Sequence, residues 1–490
     1  MTIASSSLTA RIPLVMNLDA LITIQSFLDK ASLLCYMQTC WTLHASGIRY
    51  LLDLDIPLRS ESAVASFALF LRRESAVASF ALFLRRDRKT RLFLLRKFTL
   101  EFASSSTQCP SIVKDVLLDV LRNSDRLHKL HIDGLAYSLG GDSRIISTIA
   151  LLPRLQQLQL IVTRDTARSL LAELRSPVQK LDINVLDDFG DPFEALPSVA
   201  RFAPSLQELT LSSLVTLTDA RTSHPHAVFP HMTRLSLNGS FFRDIDPLIS
   251  TFPNLLSLYV SYAHLQAHEI EDVRRANQLA QARSAWPRLD DLSGVLRALY
   301  VAAVACEVHR MSIHMVDCLD ADLAKLSAVL SAARPVVLRL DFLLRLVDAL
   351  PTMIPPSPRM SHLCLKINMV ACPPDATAAQ VLQLPLQYLS LRFFCPDWTT
   401  CDRDWFADRI TVFEGMRLPA IARDLHSKCP TLRHVLLEID PAATLVVDGA
   451  TTPSSRYLGY WHVDGGAGLV EGPYDAGARV MNAVGLTCHA

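Results

Sequence analysis

A six-residue pattern, apolar-x-x-Leu-x-Leu, recurs along most of the chain, as in LQQLQL (155–160) and LQELTL (206–211). The fourth position of the pattern falls at residues 130, 158, 181, 209, 235, 258, 311, 338, 363, 389 and 435. Two of the steps between these positions, 53 and 46 residues long, are about twice the others, as if a unit had diverged or been replaced. A period of about 26 residues indicates stacked repeats, because so short a unit cannot bury its apolar face alone.

Each repeat is predicted to contain a strand and a return segment. The hexamer alternates with the period of a β-strand, so Leu209 and Leu211 are expected to face inward. A proline such as Pro204 usually precedes the hexamer, where it would end a helix and favour an extended chain. The segments 166–175 and 320–333 have helical spacing of their apolar residues. Strands alternating with helices predict an α/β fold with one continuous core.

The composition excludes several classes of protein. Lys plus Arg and Asp plus Glu both total 48, so no net charge attracts nucleic acid or anionic lipid. Only 16 of 490 residues are glycine, which disfavours propellers and glycine-rich nucleotide-binding sheets. The N-terminus has no secretory pattern, and no apolar stretch reaches the length of a membrane span. We therefore expect a cytoplasmic and/or nuclear protein without a nucleic-acid or membrane partner.

The known catalytic motifs are absent from the sequence. It has no phosphate-binding glycine loop, Gly-x-Ser-x-Gly elbow or His-Glu-x-x-His zinc motif. Asp187, Asp188 and Asp191 could form paired carboxylates of a hydrolase, but their neighbouring Pro and Gly residues favour solvated turns. We expect no enzymatic activity, no cofactor and no metal site.

The repeats resemble a leucine-rich-repeat array over residues 97–440. They depart from the family pattern where many such repeats carry Asn or Cys, since Leu135, Thr163 and Leu186 occupy that position. We therefore expect an irregular solenoid of parallel strands and helices. The resemblance implies that the strands line a concave, substrate-binding face. The predicted substrate-binding residues on this face are Lys129, Gln157, Lys180, Glu208, Arg234, Tyr259, Arg310, His362 and Tyr388.

The N-terminal residues 12–43 contain two amphipathic helical patterns, with a break at 29–32. The order of residues resembles an F-box: Ile12-Pro13, then a helix with Leu21 and Ile24, then a second helix from Leu33. It is similar to the large F-box-like families of fungi. The resemblance implies an all-α module over residues 9–57 that docks on a Skp-type adaptor, and through it on a cullin. The implied adaptor-binding residues are Pro13, Leu18, Leu21, Ile24, Phe27, Leu28, Leu34 and Met37.

Together these features predict a substrate-recognition subunit of a ubiquitin ligase that holds an unknown target protein. The alternative is a leucine-rich scaffold that has no link to ubiquitination and whose N-terminal helices only cap the repeats. A helical linker is predicted over residues 58–96, where ESAVASFALFLRR occurs twice, at 61–73 and 74–86. The duplication is either a neutral insertion or a two-faced helix. Residues 441–490 are predicted to form a C-terminal cap or tail.

Overall fold

A computed structural model of the chain shows an α/β protein whose strands are mostly parallel. It divides into two units, residues 1–178 and 179–490. The structure describes residues 28, 32, 57–58, 95–101, 111–133, 141–186, 193–212, 215–216, 227–239, 244–261, 265–314, 320–343, 354, 357–368, 386–394, 418–440, 445–447, 450–452, 457–463, 469–484 and 486.

Unit 1 contains four described strands, which pair in the parallel order β1-β2-β3-β4. Three helices lie in the connections between or after them. The strands are β1 (Pro57–Leu58), β2 (Lys97–Glu101), β3 (Lys129–Asp133) and β4 (Gln157–Val162). The helices are α1 (Ser111–Arg122), α2 (Ser143–Ala150) and α3 (Arg164–Glu173).

Unit 2 carries a longer sheet with the order β5-β7-β9-β10-β11-β12-β13-β14-β15-β16-β19-β20. The pairs from β5 to β16 are parallel, and β19 and β20 add antiparallel strands at one edge. The strands from β5 to β12 are β5 (Lys180–Val185), β6 (Phe193–Glu194), β7 (Glu208–Ser212), β8 (Val215–Thr216), β9 (Arg234–Asn238), β10 (Ser257–Val260), β11 (Arg288–Val295) and β12 (Glu307–His314). The strands from β13 to β20 are β13 (Val337–Leu343), β14 (His362–Asn368), β15 (Tyr388–Phe394), β16 (His434–Asp440), β17 (Leu445–Val447), β18 (Ala450–Thr452), β19 (Tyr457–Val463) and β20 (Leu469–Gly472).

The helices of unit 2 occur mainly in the connections between its parallel strands. They are α4 (Ala195–Val199), α5 (Asp246–Thr251), α6 (Ile270–Arg283), α7 (Leu296–Ala302), α8 (Asp320–Ala333), α9 (Leu418–Lys428) and α10 (Tyr474–Ala483). Short 3-10 turns span Ala200–Phe202 and Ala267–Glu269. The predicted helix over 320–333 is confirmed with the same bounds, and the one predicted over 166–175 lies two residues earlier, at Arg164–Glu173.

All eleven hexamers contain a strand, as their alternation predicts. The residues at the eleven fourth positions are at most 2% exposed. They form one layer in each unit, because neighbouring strands pair at this position, as Leu209 does with Leu235. We call this side of each sheet the leucine face. The burial of these eleven side chains shows that they belong to the core.

The prolines before the hexamers open a recurrent β-turn. In the turn at Phe229, Pro230 holds the second position, and the amide of Met232 donates to the Phe229 carbonyl at 3.3 Å. Proline is favoured at the second position of a β-turn because its ring fixes the φ angle that this position requires. The same bond, from the fourth residue to the first, recurs at 3.0–3.2 Å in Phe252–Leu255, Ser357–Met360 and Cys429–Leu432. The proline therefore turns the chain into the strand.

The two long steps of the repeat have different causes. Within the 53-residue step, β11 is an additional strand, whose hexamer carries Gly294 in place of the last leucine. A Cβ at Gly294 would lie 1.9 Å from the carbonyl oxygen of Val260 on β10, so the close approach of the two strands requires glycine. Across the 46-residue step, β15 and β16 are direct neighbours in the sheet.

Side-chain amides stabilise the diverged repeat around β11. The buried amide of Asn277 donates to the Val301 carbonyl at 2.9 Å, and that of Gln281 donates to Ala302 and Ala303 at 2.9 and 2.8 Å. These carbonyls lie at the C-terminal end of α7, where a helix leaves its last carbonyls without intrahelical partners. Side-chain hydrogen bonds therefore stabilise this repeat in addition to its buried leucines. A search for apolar residues in the sequence does not detect them.

Candidate functional site: the polar face of unit 2

The side of the unit 2 sheet opposite the leucine face carries mainly polar side chains, and we call it the polar face. In β9, for example, Leu235 and Leu237 are buried whereas Arg234 and Ser236 lie on the other side. Because the strands pair in register, residues at the same hexamer position form a row across the sheet. The first row consists of Lys180, Glu208, Arg234, Ser257, Asp291, Arg310, Val337, His362, Tyr388, His434 and His462.

The first half of this row is an ionic segment, which we define as Lys180, Glu208, Arg234, Asp291 and Arg310. Glu208 lies between two cations, with its carboxylate 2.8 Å from Lys180 Nζ and 3.7 Å from Arg234. Further along the row, an Arg310 guanidinium nitrogen lies 3.2 Å from the Asp291 carboxylate. Opposite charges on neighbouring strands stabilise the pairing modestly. The arginines remain largely accessible, with side chains 67% exposed at Arg234 and 46% at Arg310.

Asp291 is a partly enclosed carboxylate of the ionic segment, with its side chain 33% exposed. Burial raises its pKa above the ordinary value, although the guanidinium groups of Arg310, Arg339 and Arg234 act in the opposite direction. Asp290 raises the pKa of Asp291 further, and Arg234 also lies beside Glu208, so this part of the face mixes both signs of charge.

The second half of the polar face carries a ring segment, defined as His362, Tyr388, His434, Tyr460 and His462. The rings of His362 and Tyr388 stack with centroids 4.3 Å apart and planes 5° from parallel, and Tyr388 stacks on His434 at 4.7 Å and 12°. The stack continues from His434 to Tyr460 and His462, at 6.1 and 5.7 Å. Flat rings fit here because strands lie about 4.8 Å apart, close to the separation of stacked rings.

Hydrogen bonds and burial affect three of these rings, His362, His434 and Tyr460. His434 Nδ1 lies 2.9 Å from Tyr460 Oη, and His362 Nδ1 lies 2.7 Å from the hydroxyl oxygen of Ser361. Burial lowers the pKa of both histidines, and nearby His309 lowers that of His362 further. His462 and Arg433 lower the pKa of His434 further. The pKa of Tyr460 is raised, mainly by burial. The uncharged forms of His362, His434 and Tyr460 are therefore favoured.

Helix α10 covers part of the polar face beside the ring segment. Four side chains of this face form an apolar patch, consisting of Val337, Cys364, Leu436 and Tyr460. Met481 of α10 and Leu486 complete a buried cluster with this patch. A Cβ at Gly477 would lie 2.2 Å from the Tyr460 ring, so only glycine lets the helix come this close. The C-terminal residues thus pack onto the side of the sheet opposite its main core.

The structure distributes the nine predicted substrate-binding residues along the strands. Six of them lie in the first row of unit 2, namely Lys180, Glu208, Arg234, Arg310, His362 and Tyr388. Tyr259 lies in the next row, with its ring 6.4 Å from that of His314. Lys129 and Gln157 are register partners in unit 1. His362 and Tyr388 are half-buried by stacking. That any of these residues binds a substrate stays a prediction.

Sequence reasoning missed several residues of the polar face. Asp291 was missed because its strand lacks the final leucine of the hexamer. His434 lies within a recognised hexamer, LRHVLL, at the same position that Tyr388 occupies in its own hexamer. This shared position could have identified His434. Tyr460 and His462 lie on an antiparallel strand outside the repeat, so periodicity could not find them.

Most of the predicted adaptor-binding residues lie outside the described part of the chain. They are Pro13, Leu18, Leu21, Ile24, Phe27, Leu34 and Met37. Leu28 is half-buried, and Ser32, nearby, is helical and exposed. Both copies of the duplicated segment, 61–73 and 74–86, also lie outside the described residues.

Two other kinds of site were searched for in the described ranges. They contain no group of three or more His, Cys, Asp or Glu side chains that could bind a metal ion. Among the helices within those ranges, none combines the length and the apolar character that crossing a bilayer requires.

The fold and the polar face define an α/β repeat protein with a long surface of in-register side chains. Comparison with protein-family models finds no family that matches the chain, and comparison with curated proteins finds no match.

Proposed function

We propose that the chain is the substrate-recognition subunit of a Skp–cullin–F-box type ubiquitin ligase. Its repeats form a leucine-rich-repeat solenoid, and the polar face of unit 2 binds the target protein. The module over residues 9–57 docks on the Skp-type adaptor. In this proposal the chain catalyses no reaction, because other subunits of the ligase transfer ubiquitin.

The observation that carries the target-binding part is the contrast between the two faces of the unit 2 sheet. The leucine face is fully used by the core, whereas the polar face presents charges in rows on successive strands. Arginine and tyrosine, which anchor many protein interfaces, occur there at Arg234, Arg310 and Tyr259. A surface that mixes both signs of charge selects a partner by local complementarity more than by total charge.

The adaptor-binding part is supported by the sequence alone. Two short amphipathic helices in residues 12–43 would expose apolar side chains that a hairpin of this size cannot bury. The opening Ile12-Pro13 and the spacing of Leu21, Ile24 and Phe27 resemble an F-box. An F-box followed by leucine-rich repeats is a common order in such subunits, which supports the same assignment.

Co-purification with a Skp-type adaptor tests the proposal. The wild-type chain is expected to retain the adaptor, and the double variant Leu21→Asp plus Phe27→Asp is expected to lose it, because two charges would be buried in an apolar interface. Arg275→Glu, an exposed change on α6, serves as the control and should bind as the wild type does. Absence of adaptor binding by the wild-type chain would reject the ligase role and favour the scaffold alternative.

A further inference from the structure

A cavity of about 520 Å³ lies between α1 and α2 of unit 1. It is lined by the C-terminal end of α1, by one side of α2 and by the turn that follows α2. Ser143, Ser147 and Leu151 belong to this lining and follow one another at intervals of four residues, as the residues of one helix face do. Cavities of about 300–1,000 Å³ commonly bind small molecules. The cavity therefore has the size of a small-molecule site.

The floor and part of the rim of this cavity are apolar. Leu121 and Leu152 line its floor and are only 1% and 4% exposed. Leu151, by contrast, is 56% exposed at the rim, and Pro153 beside it is exposed as well. Covering a leucine side chain that is otherwise in water with an apolar group is favourable. The cavity thus fits a ligand with an apolar body.

Two arginines line the cavity, and their surroundings differ. Arg144 is already paired, with its guanidinium 2.8 Å from the carboxylate of Asp142. The side chain of Arg122, in the last turn of α1, makes no ion pair or hydrogen bond with any residue in the described ranges. The end of α1 does not need it, because the side chains of Asn123 and Ser124 donate to carbonyl oxygens there. The Arg122 guanidinium is therefore available to an anion in the cavity.

The cavity also offers a carboxylate and two hydroxyl groups. Asp125 lies three residues after Arg122, and its side chain has no partner within the part of the chain that the structure describes. The hydroxyls of Ser143 and Ser147 likewise form no hydrogen bond with a described residue. A free cation, a free anion and apolar surface therefore occur together in one cavity.

We infer that this cavity binds a small zwitterion with an apolar body, of which an apolar α-amino acid is the simplest example. Arg122 binds the carboxylate of the ligand, Asp125 binds its ammonium group, and Leu151 covers its side chain. A ligand with only one of the two charged groups leaves one of the two protein ions without a partner. The inference does not rest on the proposed function and goes beyond it, since it assigns a ligand site to unit 1.

Three probes that share one aromatic ring separate the two ionic contacts. They are phenylalanine, 3-phenylpropanoate, which lacks the ammonium group, and 2-phenylethylamine, which lacks the carboxylate. Binding to the full chain is measured by titration in saturation-transfer difference NMR. Phenylalanine is expected to bind with a Kd on the order of 1 mM, as suits so small a ligand. The other two probes should bind at least about fivefold more weakly, because each loses one charge-assisted hydrogen bond.

Variants of the two ions should change the order of the probes in opposite ways. Arg122→Gln should abolish the preference for phenylalanine over 2-phenylethylamine and keep the preference over 3-phenylpropanoate, and Asp125→Asn should do the reverse. Both side chains are exposed, so the fold, checked by circular dichroism, should be unchanged. Ser147→Phe places a ring in the cavity and should remove binding of all three probes. Arg168→Gln, an exposed change on α3 outside the lining, is the matched control and should bind as the wild type does.

Four results would overturn the inference. The first is that the wild-type chain binds none of the probes at about 20 mM, and the second is that it binds all three equally. The third is that Arg122→Gln and Asp125→Asn weaken the three probes alike, and the fourth is that Ser147→Phe still binds them. Neither adaptor nor target takes part in these measurements, so a failure here is distinct from a failure of the proposed function.

Discussion

The ionic segment lies in the first row of the polar face of unit 2, and so do four of the five members of the ring segment, but their surroundings differ. In the ionic segment, Lys180, Glu208 and Arg234 form cross-strand pairs that stay hydrated. In the ring segment, flat side chains stack on one another beside a patch that α10 covers. The comparison shows that one face of the sheet carries both an open ionic surface and a surface that a helix beyond the repeats covers.

The two segments contribute differently to the stability of the fold, because the ion pairs are exposed to solvent whereas the rings are partly or fully buried. An exposed ion pair contributes only about 0–1 kcal/mol, since water screens the charges and the side chains lose conformational freedom. A buried aromatic side chain contributes several times more through packing. The ionic segment can therefore change its contacts at little cost to the fold, as a binding surface must. The ring segment is part of what holds the C-terminal residues in place.

The largest expected difference is between Tyr460 of the ring segment and Tyr259 in the row beside the ionic segment. Tyr460→Ala removes a side chain packed against Gly477 and Leu436, and its hydrogen bond to His434, so it should lower the free energy of unfolding by about 3 kcal/mol. Tyr259→Ala, in the half-exposed row beside the ionic segment, should cost about 1 kcal/mol or less. Urea unfolding followed by circular dichroism measures both, and equal losses would contradict the comparison.

A smaller expected effect is a pH dependence confined to the ring segment. The pKa values of His362 and His434 are lowered in the folded state, so the unfolded chain takes up protons more readily. Their contribution to stability is complete above the ordinary histidine pKa of 6.5, and it is lost as the pH falls below that value through the folded-state pKa. The melting temperature should therefore fall between about pH 7.5 and about pH 5.5.

The double variant His362→Phe plus His434→Phe keeps two aromatic rings in the stack but removes both titrating groups. Its melting temperature should fall less over the same pH range than that of the wild-type chain. The remaining neighbours, His309, His462 and Arg433, are unchanged in this comparison. Identical pH profiles for the two proteins would show that the stack does not titrate as described.

The sequence was sufficient to predict the strands and the inward direction of their leucines, because burial on one side of a strand imposes a two-residue period. It also predicted α8 from residue 320 to residue 333. It failed at β11, where Gly294 meets a backbone requirement that an apolar pattern does not contain. The sequence pattern also did not predict the ring segment. Tyr460 and His462, which neighbour His434, lie on an antiparallel strand, and the helix that covers the adjacent patch lies beyond the repeats.

The most direct test of the account asks whether adaptor binding and target binding reside on separate parts of the chain. Proteins that co-purify with the wild-type chain are quantified by mass spectrometry and compared with those retained by Arg234→Glu plus Arg310→Glu, by Leu21→Asp plus Phe27→Asp, and by the control Arg275→Glu. The account predicts that the polar-face variant loses its target about tenfold or more while keeping the adaptor. It predicts the reverse for the N-terminal variant. Loss of the adaptor from the polar-face variant, or retention of every target by it, would contradict the account.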